Sequence, residues 1–297
     1  DSDLLFVTVS VRRPFGFEAL YRLRDDTTLV VPEDQLLGTQ SREENRAFNA
    51  ALMVDSQQRA ARVALEMVGY DVPVSTTGAV ITDIGPEFPA ARSLRPGDTV
   101  VAVDGQPVSS GEALVAAITT RRPGEVLRLE VEPVGGGEAQ EVEVELVPHT
   151  DDPARPQLGV SIQDRPSYEF PVDIEIDTGR VSGPSAGLAF TLAIVDRLTE
   201  GDLTGDRKVA VTGTIQLDGT VGTVGGVAQK TEAAVDAGAD LFLVPPGEAQ
   251  EAEAAARGRL RVHEVATLED ALAVLEAEGG DPVPREAPEQ GGGSPGG

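Results

Sequence analysis

Gly183-Pro184-Ser185-Ala186-Gly187 opens the apolar run Leu188 to Leu198, and Gly225-Gly226-Val227-Ala228-Gln229-Lys230 opens a second helical stretch. A serine at one helix start and a lysine in the first turns of another propose a Ser185-Lys230 catalytic dyad. A serine hydroxyl is a weak nucleophile until a base takes its proton, and lysine is that base only when its pKa falls toward neutrality. Lys230 has two means to that end. It lies near the positive end of its helix, and Ala234 and Ala237 share its face, so burial adds a desolvation penalty on the ammonium. Between the two segments, Val209-Ala210-Val211-Thr212-Gly213 reads as a strand, and the Thr212 hydroxyl has the chemistry to hold Lys230 by a hydrogen bond. Ser182, Gly183 and Ala186 flank the serine as supporting residues. Each segment is also an ordinary helix start, with Ser182 or Ser185 capping free amides. The two readings are compatible, because amides at a helix N-terminus also stabilise an oxyanion.

Outward from this pair, the pattern divides the chain. Residues 1 to 70 open with the strand-like run Leu4 to Val11 and lead into a helix in which Ala50, Val54, Gln57, Ala61, Ala64, Leu65 and Val68 form one mostly apolar face up to Gly69. Residues 71–149 turn to short β-like runs. Gly78 to Ile84, Thr99 to Val103 and Val126 to Val131 read as strands, Asp104-Gly105 as a tight turn and Glu112 to Thr119 as a short helix. From Leu158 the pattern mixes again. Val172 to Ile176 alternates as a half-buried strand, Val227 to Ala237 is a helix, Leu241 to Val244 a buried strand and Leu268 to Leu275 a last helix. Residues 281–297, rich in Gly, Pro and Glu, read as a flexible tail.

Composition excludes several functions. With 297 residues the chain suits roughly two domains. A net charge of -26 repels phosphate backbones and anionic lipid, so nucleic acid is not an expected partner. There is no cysteine, which removes thiol nucleophiles, disulfides and thiolate metal sites together. No paired metal-ligand spacing occurs, so neither metal nor other cofactor is expected. Gly222 to Thr231 brushes against a phosphate-loop pattern, but Gln229 stands where glycine must precede the lysine, and no nucleotide is expected. His149 falls in a presumed linker and His263 on a strand beside charged residues, which gives a Ser-His-Asp triad little support. The chain opens at Asp1 with no initiating Met, which reads as a trimmed soluble fragment.

The run Leu94-Arg95-Pro96-Gly97-Asp98-Thr99-Val100-Val101-Ala102-Val103-Asp104-Gly105-Gln106-Pro107-Val108 resembles PDZ domains, particularly those attached to bacterial proteases. Pro89-Ala90-Ala91 sits where such domains carry a short helix, and Val80 to Ile84 where they carry a core strand. Thr76 to Val80 is the best candidate for the loop that would hold a peptide carboxylate. An open groove and an occluded packing module both fit this stretch.

From about Pro171 to Leu275 the chain resembles the proteolytic domain of Lon, and as a whole the membrane-anchored bacterial PDZ-Lon proteases. Val172 to Ile176 followed by Gly183 to Gly187 matches the strand and nucleophile motif; Ala210-Val211-Thr212-Gly213 and Gly225 to Lys230 match the site strand and the lysine motif. Met53 to Ala60 resembles the first helix of that domain. The resemblance implies an α+β fold, a Lon-type proteolytic domain (ribosomal S5 domain 2-like) with an inserted PDZ-like β-rich domain: 1–70 and 150–280 catalytic, 71–149 PDZ. It also implies an ATP-independent serine endopeptidase acting on exposed or unfolded polypeptide. A peptide C-terminus at the PDZ groove, a ring-like homo-oligomer such as a hexamer, and an extracytoplasmic place tethered by an N-terminal anchor outside this chain complete the expectation. Ser182 and Thr214 stand where Lon often has acids, which favours the competing reading of a catalytically weak, PDZ-based peptide-binding scaffold.

Overall fold

In chain order the elements that matter are strand β1 (Asp3–Phe6), helix α1 (Arg42–Met67), β2 (Val74–Ile84), β3 (Thr99–Val103), α2 (Gly111–Thr119), β4 (Val126–Glu132), β5 (Gln140–Glu145), β6 (Val160–Tyr168), α3 (Gly187–Leu198), β7 (Lys208–Val211), α4 (Val227–Asp236), β8 (Leu241–Val244), α5 (Ala249–Ala256), β9 (Arg261–Glu264) and α6 (Leu268–Ala277). The computed structural model describes residues 3–11, 28–37, 41–179 and 181–284. They fall into two units, one of residues 1–39, 52–72 and 170–297, the other of residues 40–51 and 73–169.

The first unit is built on a parallel sheet in the order β1-β7-β8-β9. Strands that need a long crossover to run parallel are covered on both faces, so they read as continuous apolar runs. Leu241-Phe242-Leu243-Val244 is such a run, and every residue in it is buried. Alternate side chains serve opposite faces. Val209, Val211, Leu241 and Leu243 join a core with residues of α1, α3 and α6, whereas Ala210, Phe242 and Val244 join one with residues of α4 and α5. The serine-bearing segment and the lysine helix are thereby placed on opposite faces of one sheet.

Two sequence expectations need correction here. The apolar face of α1 within this unit runs through Met53, Ser56, Ala60, Ala64 and Val68, while Ala50 and Val54 are exposed. The stripe fixed by the deeply buried C-terminal turns, traced backwards by 3.6 residues per turn, arrives one position before Val54. The helix closes near Gly69 as expected, with φ of 92° there and Tyr70 N–H donating to Leu65 O at 2.9 Å. Val172 to Ile176 is not a strand: its burial alternates, but it has no ladder partner among the described residues. Gln57 Nε2 donates to Ile176 O instead, at 3.1 Å. Likewise the strand expected over Leu4 to Val11 holds only over Asp3–Phe6.

The second unit is an antiparallel sheet in the order β5-β4-β3-β2-β6, over a core that includes Ile81, Leu94, Leu127 and Leu129. Asp104 and Gly105, with φ of 49° and 77°, make the expected tight turn after β3. Ser110 Oγ caps α2 by accepting from Ala113 N–H at 3.1 Å. The boundary expected after residue 149 falls ahead of the last strand of this sheet. β6 pairs along β2 from Val74↔Tyr168 to Ile84↔Val160, so residues 150–169 belong to this unit. The chain is mixed α and β, with the parallel sheet in the first unit and the five-strand antiparallel order in the second. Among the described residues no helix is long and apolar enough to cross a membrane. The tail begins later than residue 281: Asp281 N–H donates to Asp202 O and its carboxylate accepts from Asp202 N–H, both at 2.9 Å, while residues 285–297 lie outside the described part.

Phe242 is wholly buried between β8 and the core that seats the lysine helix. Phe242→Ala is expected to cost about 3–5 kcal/mol of unfolding free energy, read from urea midpoints at unchanged slope.

Candidate active site

Thr212 follows the last residue of β7, at the carboxyl edge of the parallel sheet, and its N–H extends the ladder by donating to Leu243 O at 3.1 Å. In open parallel sheets this edge is where helix N-termini gather and ligands bind. Two such termini meet Thr212 here. From one face comes the turn before α3: Gly213 N–H donates to Ser185 O at 3.0 Å, Leu188 N–H donates to Gly213 O at 3.1 Å, and Thr212 Oγ1 donates to Ser185 O at 3.3 Å. From the other comes α4, where Lys230 Nζ donates to Thr212 Oγ1 at 3.0 Å. The Thr212 hydroxyl thus accepts from the lysine and donates to the serine's carbonyl.

Local sequence explains both termini. Gly226 precedes α4 in the left-handed region, with φ of 71°, and an added Cβ would lie 3.0 Å from Val9. At Gly187 a Cβ would come within 2.9 Å of Ile215 N and 3.0 Å of Ser56 Oγ, so only glycine lets the serine turn approach so closely. Ser56, buried on α1, donates to Pro184 O at 3.2 Å and anchors that turn from behind.

Lys230 is 3% exposed, and among the described residues the only hydrogen-bond partner of its side chain is Thr212. Burial lowers its pKa from 10.5 to about 8, with the Glu248 carboxylate acting in the opposite sense. The Lys230 amine thereby loses its proton more readily than that of an exposed lysine.

Of the other expected residues, Gly183 is buried with φ of 93°, Ala186 is buried at the cap position of α3, and Ser182 is exposed. Neither Ser182 nor Ser185 caps α3, contrary to the helix-start reading: no side chain does, because Gly213 O takes the Leu188 N–H. The Ser185 and Ala186 amides donate to no other group among the described residues. Lys230 donates to Thr212, not to the Ser185 hydroxyl.

In the second unit, Thr76 to Val80 does not form a free loop. It lies inside β2, between β3 and β6, and Gly78 N–H donates to Ser109 O. The free edge on that side is β6, entered through Leu158-Gly159, with α2 beside it: Asp164 Oδ1 accepts from Gly111 N–H at 2.7 Å. Sequence reasoning missed this loop, although Gln157-Leu158-Gly159-Val160 carries the glycine and hydrophobic residue that were sought at residues 76–80. Ser56 was missed as well, since a single serine on an apolar helical face carries no signal of its partner.

Residues 159–277 match the family model of the Lon protease (S16) C-terminal proteolytic domain, and residues 38–146 that of the PDZ domain. A Lon protease from Desulfatibacillum aliphaticivorans is 33% identical over 116 residues, which cover 37% of this chain and 14% of that protein. A probable periplasmic serine endoprotease DegP-like from Halomonas elongata is 35% identical over 133 residues, covering 41% of this chain and 27% of that protein. The PDZ domain of an SdrC-like protein from Listeria monocytogenes aligns at 19% identity and a TM-score of 0.27, over 30% of this chain and 92% of that one. The chain spans well under a third of the length of either curated relative. It joins a Lon-type proteolytic domain to a PDZ domain. The two matches together are consistent with a PDZ-Lon protease.

The buried lysine makes a signed prediction. The folded chain holds the Lys230 proton less tightly than the unfolded chain, so stability rises with pH between about 8 and 10.5, where only the unfolded state stays protonated. Below that window the fold carries the full cost of a buried ammonium. Lys230→Met is therefore expected to be more stable than the parent at pH 7, by up to about 3 kcal/mol, with the advantage shrinking toward pH 10.5. Denaturant titrations across that range check it, and a pH-independent difference contradicts it.

Proposed function

We propose that the chain is an ATP-independent serine endopeptidase in which Ser185 is the nucleophile and Lys230 the general base. The carrying observation is the hydrogen-bonded path from Lys230 Nζ through Thr212 to the Ser185 backbone, with the lysine buried and its pKa lowered to about 8. A neutral Lys230 amine donates one N–H to Thr212 and offers its lone pair to the Ser185 hydroxyl. As Oγ bonds to the scissile carbonyl carbon, the proton passes to Nζ, and the unengaged Ser185 and Ala186 amides hold the oxyanion. The ammonium then returns the proton to the departing amine nitrogen, the C–N bond breaks, and water hydrolyses the ester by the same route.

The substrates this reading gives are exposed or unfolded polypeptide segments, as the resemblance implies. The PDZ domain, inserted between two parts of a discontinuous catalytic domain, selects or regulates them. Its peptide site is the edge of β6 beside α2, where strand addition supplies main-chain hydrogen bonds and the Leu158-Gly159-Val160 amides receive a terminal carboxylate. A homo-oligomeric ring, a hexamer by resemblance, and an extracytoplasmic, membrane-tethered setting complete the proposal; the Halomonas relative, a probable periplasmic endoprotease, agrees with an extracytoplasmic place.

Treatment with a serine-directed activity probe and with unstructured polypeptides should label and cleave for the parent, and fail for Ser185→Ala and Lys230→Ala. Equal background in all three would leave the peptide-binding scaffold as the better reading. For the parent, kcat/KM should climb with pH along a limb centred near 8, because the base acts deprotonated; a flat profile removes Lys230 from that role. In fluorescence anisotropy, a peptide that binds the PDZ unit should lose about tenfold or more in affinity once its C-terminus is amidated, the worth of a charge-assisted hydrogen bond. Undiminished binding would move the site away from residues 158–160.

A further inference from the structure

Glu248 is a half-buried titratable group beside the lysine helix that the chemistry above leaves unused. It stands at the cap position before α5, and its Oε1 accepts from Val224 N–H at 2.8 Å, immediately ahead of the Gly225-Gly226 pair that opens the lysine helix. One turn on, Glu251 Oε1 accepts from Ala228 N–H at 3.2 Å, so two carboxylates of this segment hold the start of α4. The other oxygen of Glu248, Oε2, is buried with no hydrogen-bond partner. A carboxylate oxygen left so is costly and calls for a compensating charge. The interior supplies one. Lys230 is the cation that acts on Glu248 and Glu248 the carboxylate that acts on Lys230, while Glu251 adds a like charge beside Glu248.

We propose that Glu248 is a positioning residue for the dyad: clamped by the Val224 amide, it supplies the half-buried negative charge that favours Lys230 in its protonated form when the Ser185 proton is taken. It stands in for the acids that Lon-type sites often carry where this chain has Ser182 and Thr214, and it does so from beyond the lysine in sequence. The inference rests on the Ser185-Lys230 reading. Glu248 opposes the effect of burial on Lys230, keeping the amine basic enough to accept a serine proton yet deprotonated at mildly alkaline pH.

The test uses the near-isosteric E248Q, which removes the charge and retains an oxygen for Val224. The sequence has two lysines, Lys208 and Lys230, so protein labelled with carbon-13 at lysine Cε gives two signals, and Lys208→Arg leaves that of Lys230 to be followed. In E248Q the Lys230 midpoint should fall by about half a pH unit or more, and the alkaline limb of kcat/KM should move with it. The plateau kcat should drop roughly threefold to tenfold with KM little changed. An unmoved Lys230 midpoint overturns the proposal, because a structural role for Glu248 alone would leave it in place. Should E248Q fail to fold by circular dichroism, E248D is read in the same way. Its shorter reach should move the midpoint in the same direction by less, and no movement again overturns the proposal. A shifted midpoint in a parent protein without peptidase activity would overturn the dyad chemistry while leaving the Glu248-Lys230 coupling in place.

Discussion

The single hydrogen bond from a buried Lys230 ammonium to Thr212 is the constraint around which the rest of the site is arranged. Water would solvate an ammonium far better than one hydroxyl does, so the fold must make this position affordable by other means. Glu248 offsets part of the desolvation, and the remainder appears as a lowered pKa. The cost thus carried is chemical: a cation held there gives up its proton more readily than an exposed lysine does. Thr212 keeps the amine aimed, and because its hydroxyl also donates to Ser185 O, any displacement of the lysine is felt at the serine turn.

Parallel strand order gives this arrangement its geometry. Helices on opposite faces of the sheet in the first unit begin at the same carboxyl edge, so a serine turn from one face and a lysine helix from the other are brought to one strand end without either crossing the core. The alternation of β7 and β8 does the sorting: Val209, Val211, Leu241 and Leu243 seat the face of α3, whereas Ala210, Phe242 and Val244 seat that of α4. Thr212, one residue beyond β7, is wholly buried between them. Ser56 and Gly187 then fix how closely the serine turn lies, one through a hydrogen bond and the other through the side chain it lacks.

Much of this was legible in the sequence, and the failures share a cause. Glycine-marked helix starts, the all-apolar run of β8 and the turn at Asp104-Gly105 are local properties, and they could be read locally. The Thr212 to Lys230 bond could be anticipated because both side chains sit in short motifs around one strand. Whether an extended segment gains a ladder partner depends on the rest of the chain, so Val172 to Ile176 alternates like a strand without becoming one. The same limit hid the edge of the second sheet: residues 76–80 and 158–160 look alike as loop sequences, and only strand order shows that the first is interior and the second leads to the edge. Glu248 was invisible for a further reason. Its carboxylate is placed by the Val224 amide, and no spacing rule links a carboxylate to a backbone donor in another loop.

The choice of cation carries the physical argument one step further. The sequence has 22 arginines and only two lysines, so its ordinary surface positive charges are arginine, as in the pairs Arg59 with Asp55, Arg121 with Asp104 and Arg259 with Glu232. Guanidinium suits such positions, since it stays charged at every relevant pH and grips a carboxylate with two donors. It cannot serve where the proton must leave. One of the two lysines, Lys208, is a partly exposed residue near Asp3 and the Ala237 carbonyl; the other is Lys230. In a chain that otherwise meets its need for positive charge with arginine, the buried exception is the one cation whose charge can be given up, and it stands within one hydroxyl of the Ser185 backbone.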